Sequence, residues 1–173
     1  AQATERIGLV STVSATFYTP FHAARMLASL DHISGGRIGW NVVTSMFDTE
    51  AQNHSMPRMP DHATRYARAE EFVDVVLRLW DSWPEDSILI ERAEAPDGQP
   101  GRYVDGSRLV ELNHSGEHFD VRGPLNVPRP PQGHPVLFQA GASDRGRRFA
   151  ARHAECVFVN GGAKPAVAQL VAD

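Results

Sequence analysis

Thr19-Pro-Phe-His-Ala-Ala-Arg-Met-Leu-Ala-Ser-Leu-Asp-His-Ile-Ser-Gly-Gly-Arg-Ile-Gly-Trp-Asn-Val-Val43 is the stretch whose reading decides the fold. Thr19 is a favoured N-cap, and Pro20 suits the first helical position, where its missing N–H has no intrahelical partner to lose. Phe21, Ala24, Leu27, Leu30 and Ile33 recur at spacings of three, which predicts an apolar helical stripe. Gly35-Gly36 supplies the left-handed residue that commonly ends a helix. Arg37 to Val43 then reads as a strand buried on both faces. A helix running directly into a buried strand is half of a βαβ unit, because parallel strands need a long crossover.

The same alternation extends in both directions. Arg6-Ile-Gly-Leu-Val-Ser11 reads as a preceding buried strand. After a polar loop containing Met and Pro, Asp61 caps a helix predicted to run to about Trp80, with Ala69, Phe72, Val73, Val76, Leu77 and Trp80 as its apolar face. Residues 84–134 have a different character, rich in proline and glycine, and read as an excursion from a single domain spanning 1–173. Within it the alternating runs 108–112 and 118–122, joined by Asn113-His-Ser-Gly116, predict a β-hairpin. Pro128 to Gly133 reads as an extended connector. Regular alternation then resumes: a strand over 135–140, a helix over 143–153, a strand over 156–160 and a final helix from Pro165. Ala1 is not methionine and the last helix is only about two turns long, so the chain reads as a fragment.

Four strand–helix units require a mostly parallel sheet, either doubly wound and open or part of a (β/α)8 TIM barrel. In both, ligands lie beyond the carboxyl ends of the strands. Composition narrows the function classes. The 173 residues carry 17 basic and 21 acidic side chains, a net charge of -4, with 42% hydrophobic and 22% charged residues. This is globular composition without the basic footprint of a nucleic-acid binder. No apolar run is long enough to span a bilayer. The lone Cys156 forms no internal disulfide, which suits a reducing, cytoplasmic setting, and it reads as a packed core thiol.

The polar residues at the strand ends form the candidate site. These are Ser11-Thr12, Asn41 with Thr44-Ser45, and the stretch from Gln139 to Gly146, in which Gly141 permits a close turn and Ser143 can cap the next helix. A helix start with Arg145, Arg147 and Arg148 nearby suits a phosphate-bearing ligand, although Ser143 could equally be a plain cap beside solvated arginines. His62 and Tyr66, four apart, share a helix face and offer donors to an oxygen-rich ligand; alternatively they are ordinary surface residues. His114 and His118 lack further ligands nearby, so no metal is assigned.

Several of these stretches also carry a family resemblance. Ala28 to Ser45, Arg65-Tyr-Ala-Arg-Ala-Glu-Glu-Phe-Val73 with Leu79-Trp-Asp-Ser-Trp83, His118 to Asn126 and Gln139-Ala-Gly-Ala-Ser143 resemble flavin-dependent monooxygenases of the bacterial luciferase-like superfamily. The match is to the nitrilotriacetate, dibenzothiophene-sulfone and long-chain alkane monooxygenase group. The resemblance implies part of a TIM barrel that binds FMN, with reduced FMN delivered by a separate NAD(P)H:FMN reductase and oxygen passed to a small organic substrate. It implies flavin contacts from Thr12, Asn41, His62 and Tyr66, and a phosphate site at Gly141, Ala142 and Ser143. It also implies a homo-oligomer for the full-length protein and further strands on either side, and assigns no acid or base. The other readings are an F420-dependent oxidoreductase on the same fold, and a non-catalytic fragment or phosphate-ligand module.

Overall fold

The computed structural model describes residues 1–90, 101–159 and 167–168. In chain order its elements are β1 (Leu9–Ser14), α1 (Pro20–Ser34), β2 (Ile38–Val43), α2 (Asp48–Gln52), α3 (His62–Asp81), β3 (His114–Ser115), β4 (Asp120–Val121), β5 (Val136–Gln139), α4 (Asp144–His153) and β6 (Cys156–Val157), with a 3-10 turn at Gly106–Arg108. The principal sheet is parallel throughout, in the order β1-β2-β5-β6. Strand order follows chain order, and α1 packs against α3 and α3 against α4. A doubly wound sheet reverses its strand order at a switch point, and these four strands do not. The winding is that of part of a (β/α)8 barrel.

The helix ends form where the sequence places the caps. Thr19 Oγ1 accepts from His22 N, Asp61 Oδ1 from Thr64 N and Ser143 Oγ from Gly146 N. Gly35 closes α1 in the left-handed region at φ +66°. Between the sheet and these helices lies the core. Trp40 is fully buried, donates to the Val13 carbonyl at 3.2 Å and meets Trp80 edge-on; Trp80 in turn donates to the Ala24 carbonyl at 3.1 Å. Buried indoles that keep a hydrogen bond combine large apolar burial with a satisfied N–H.

Several boundaries differ from expectation. The first strand begins at Leu9, three residues later than the expected Arg6, and is an outer strand of the described sheet, so Ile7 and Val10 are exposed rather than buried on both faces. In α1 the buried line is Ala23, Ala24, Leu27, Ala28 and Asp31, and Ile33 is 63% exposed. A strict spacing of three turns about 60° away from the core at each step, since one helical turn takes 3.6 residues. The polar loop after β2 contains the short helix α2. Its Glu50 reaches back to the Met46 and Phe47 amides, a local bond that hydrophobic periodicity does not report. The hairpin exists, but His114 pairs with Val121 and Ser115 with Asp120, so the residues read as its turn form its first strand. Asn113 at φ +45° and the Gly116 N to Phe119 O bond move the reversal toward the C-terminus. Cys156 is exposed on outer strand β6, not packed in the core. The final helix, apart from helical residues 167 and 168, and Asn160 of the last strand lie outside the described residues.

Candidate functional site

Parallel strands splay their carboxyl ends into loops, and three such loops meet here. In-register pairing sets Thr12 beside Asn41 and Asn41 beside Phe138 on neighbouring strands. Asn41 Nδ2 donates to Thr12 Oγ1 at 3.1 Å, while Asn41 Oδ1 is buried without a partner among the described residues. Reversing the amide only exchanges which atom is orphaned, so this side chain retains a hydrogen-bonding demand that the described residues do not meet. One step further along the strands, Ser45 Oγ donates to Ser14 Oγ at 3.0 Å and Thr16 Oγ1 to the Thr44 carbonyl at 2.7 Å, tying the ends of β1 and β2 together.

The second wall comes from α3 and α4. Tyr66 is 5% exposed, with its ring 5.8 Å from that of Phe149 and 4.8 Å from that of His62. Its hydroxyl has no hydrogen-bond partner among the described residues. His62 Nε2 lies 3.2 Å from Ser143 Oγ, so the starts of α3 and α4 are joined by the two side chains that the sequence singled out. Ser143 caps Gly146 N, leaving the amides of Asp144 and Arg145 leading off the helix, where an anion is favoured. Of the nearby cations, Arg147 is engaged with Asp144 at 2.7 Å.

Between these walls lies a cleft of about 350 Å³ lined by Thr12, Val43, Ser45, Met46, Phe47, Glu50, Tyr66, Gln139 and Gly141 among others. It adjoins a second cleft of about 300 Å³ through Thr12, Val43, Ser45 and Glu50. Of the residues that the resemblance implies for the flavin, Thr12, Tyr66 and Gly141 line the main cleft, as do the strand-end residues Thr44, Ser45 and Gln139. Asn41 is one hydrogen bond behind Thr12; His62 and Ser143 stand beside Tyr66 and Gly141 without lining it, and exposed Ala142 only links the turn. Nothing in the sequence points to Glu50, and Gln139 is placed there at the strand end without an assigned contact. The Met46 and Phe47 amides, aided by Ser45 and His54 and outweighing burial, hold the Glu50 carboxyl below its usual range, and it stays ionised against the cleft. Gln139 is 4% exposed; its Oε1 accepts from Gly141 N at 2.7 Å, which leaves Nε2 as a fixed donor without a partner among the described residues. Its signal was its place as the last residue of a strand.

This donor set suits a phosphorylated, carbonyl-bearing ring cofactor: amides and hydroxyls for phosphate at one end, a carboxamide and a threonine for heteroatoms further along. His114 and His118 lie elsewhere, with His114 Nε2 on Glu71 at 2.9 Å. Among the described residues no group of three or more His, Cys, Asp or Glu is arranged to hold a metal ion. The luciferase-like monooxygenase model matches residues 1–173. The chain belongs to that family. It is 49% identical over 158 residues to dibenzothiophene-sulfone monooxygenase of Rhodococcus erythropolis, covering 91% of this chain and 34% of the relative. It is 52% identical over 158 residues to nitrilotriacetate monooxygenase component A of Aminobacter aminovorans, with the same coverage. The long-chain alkane monooxygenase crystal structure superimposes with a TM-score of 0.90 at 38% identity, covering 99% of this chain and 38% of that one. A riboflavin lyase solved with modified FMN and its substrate riboflavin gives 0.87 at 42% identity, covering 99% of this chain and 37% of the lyase. This luciferase-like chain therefore spans about a third of the length of the relatives it matches.

Proposed function

We propose that this chain forms the FMN-holding part of a two-component monooxygenase, one that takes reduced FMN from a separate NAD(P)H:FMN reductase and oxygenates a small organic substrate. The observation that carries this reading is the cleft on which Tyr66, the Gln139 amide and the Thr12–Asn41 pair converge beside the start of α4. Ser143, Tyr66, Gly141 and the leading amides of α4 would hold the phosphate, with His62 and Ala142 beside them. Thr12 and Asn41 would meet the ring. Bound reduced flavin supplies two electrons to O2, so that one oxygen atom enters the substrate and the other leaves as water. The chain's own residues orient the ring and keep bulk water from the cleft, whose lining includes the buried Val42.

The modified FMN in the riboflavin lyase structure supports a flavin, while the relatives' names, which range from a sulfone to an aminopolycarboxylate to an alkane, support no single substrate. The word "component" in one of them supports a partner reductase. Anaerobic titration of the protein with reduced FMN, and in parallel with F420, tests the cofactor. FMN should bind, and Tyr66→Phe and Ser143→Ala should each weaken it about tenfold, the loss expected for one hydrogen bond to a charged group. Wild-type affinity in both variants removes the site assignment, and binding of F420 in place of FMN overturns the monooxygenase reading. Oxygen uptake with NADH, an FMN reductase and candidate substrates then tests the reaction.

A further inference from the structure

Glycines 141 and 146 are not required by their backbone angles: neither is among the residues with positive φ, and Gly146 lies inside helix α4, where glycine is intrinsically unfavourable. Space explains them instead. A methyl group built on Gly141 would collide with Gln139 Nε2 and fall 2.6 Å from the Tyr66 hydroxyl oxygen, and one built on Gly146 would fall 2.7 Å from that oxygen. Side-chain carbons do not approach an oxygen that closely, so the two bare residues form a slot that admits the hydroxyl of α3 between the β5–α4 turn and the first turn of α4. The phenol is otherwise fixed by its packing on Phe149 and His62. Within that one turn stand the Tyr66 and Ser143 hydroxyls, the His62 ring and the α4 amides, while the Asp144 carboxylate is drawn aside by Arg147. Such a cluster of donors recognises a phosphate monoester rather than a neutral alcohol.

We propose that Gly146, together with Gly141, is a positioning residue that holds the Tyr66 hydroxyl on the phosphate and so makes the site select FMN over riboflavin. The inference rests on the flavin reading above. The alternative is that the slot only lets α4 approach α3. Affinities for FMN and riboflavin, measured on the wild type, Gly146→Ala, Tyr66→Phe and the double variant, separate the two. Gly146→Ala should lose about tenfold in FMN affinity and less than about twofold in riboflavin affinity. Tyr66→Phe removes the oxygen that the new methyl would strike. The remaining contacts, with the Gly141 carbonyl carbon and oxygen at 3.0 Å, require that backbone to give by only a few tenths of an ångström. The double variant should therefore match Tyr66→Phe alone within about twofold, a strongly non-additive result. Equal loss of both ligands, no loss of either, or simple additivity overturns the proposal. If Gly146→Ala does not fold, the FMN-to-riboflavin ratio of Tyr66→Phe decides: it must fall toward one. A wild type that binds neither ligand fails at the flavin reading itself, whereas one that binds both equally fails only here.

Discussion

Asn41 carries the sharpest residue-scale tension among the described residues: a half-buried carboxamide whose nitrogen bonds Thr12 and whose buried oxygen is bonded to nothing among those residues. Burying an unsatisfied polar atom costs about 1–3 kcal/mol, and a net hydrogen bond returns about 1. Asn41→Leu, of similar volume, removes both terms. The expected outcome is therefore a change of no more than about 1 kcal/mol in the urea-unfolding free energy of the flavin-free protein, in either direction. Flavin affinity should fall about tenfold, because the orphan atom no longer has a ligand to meet. A protein that loses several kcal/mol instead would mark Asn41 as a structural residue. Thr12 and Asn41 were legible in the sequence because strand-end polar residues face the ligand in any parallel sheet. Gly146 was not, since its role depends on a side chain 80 positions earlier on another helix, and sequence spacing reports only neighbours.

At the scale of elements, Glu71 of α3 clasps the β3–β4 hairpin, with Arg78 further along the helix bonded to His114 Nδ1 at 3.1 Å. Glu71 accepts from the amides of His118 and Phe119 at 2.9 and 3.0 Å and from His114 Nε2 at 2.9 Å. Arg68 lies over the Phe119 ring at 4.2 Å beside it. Burial alone raises the Glu71 carboxyl, but these hydrogen bonds and the His114 charge outweigh it and carry it below its ordinary 4.5. A carboxyl whose folded value is depressed stabilises the fold fully above its unfolded value and stops doing so as pH falls through the folded one. Urea melts should therefore show stability lost progressively below about pH 4.5, and a shallower loss in Glu71→Gln. That variant should already be about 2 kcal/mol weaker at neutral pH, because a carboxamide cannot accept all three bonds. Parallel acid curves for the two proteins would show that other groups set the acid limit. The clasp was invisible in the sequence, where the hairpin was read from alternation alone and its turn assigned to Asn113–Gly116. Nothing in a local window says that a helix residue more than forty positions away receives the amides of the true turn.

At the scale of the whole molecule, chain order and strand order coincide, and this separates a barrel segment from the doubly wound sheet that periodicity left open. The same order leaves β1 and β6 as the outer strands among those described. They carry exposed apolar side chains, Val10 on one side and Val157 on the other, with Phe158 just past β6; the last two are both 52% exposed. Unpaired strand edges flanked by apolar groups recruit further strands, and natural sheets blunt them with charge or cover them. Neither outer strand carries a lysine, and the 17 basic residues of the chain lie mostly on helices and loops. The 173-residue polypeptide, produced by itself, should therefore self-associate through these edges. Sedimentation should give an average mass that rises above 19.0 kDa with concentration. Val10→Lys and Val157→Lys should each lower that rise, since a charge on an edge strand penalises edge-to-edge pairing without touching the helix-facing core. A mass that stays at the monomer value at every concentration would mean that these edges are already shielded.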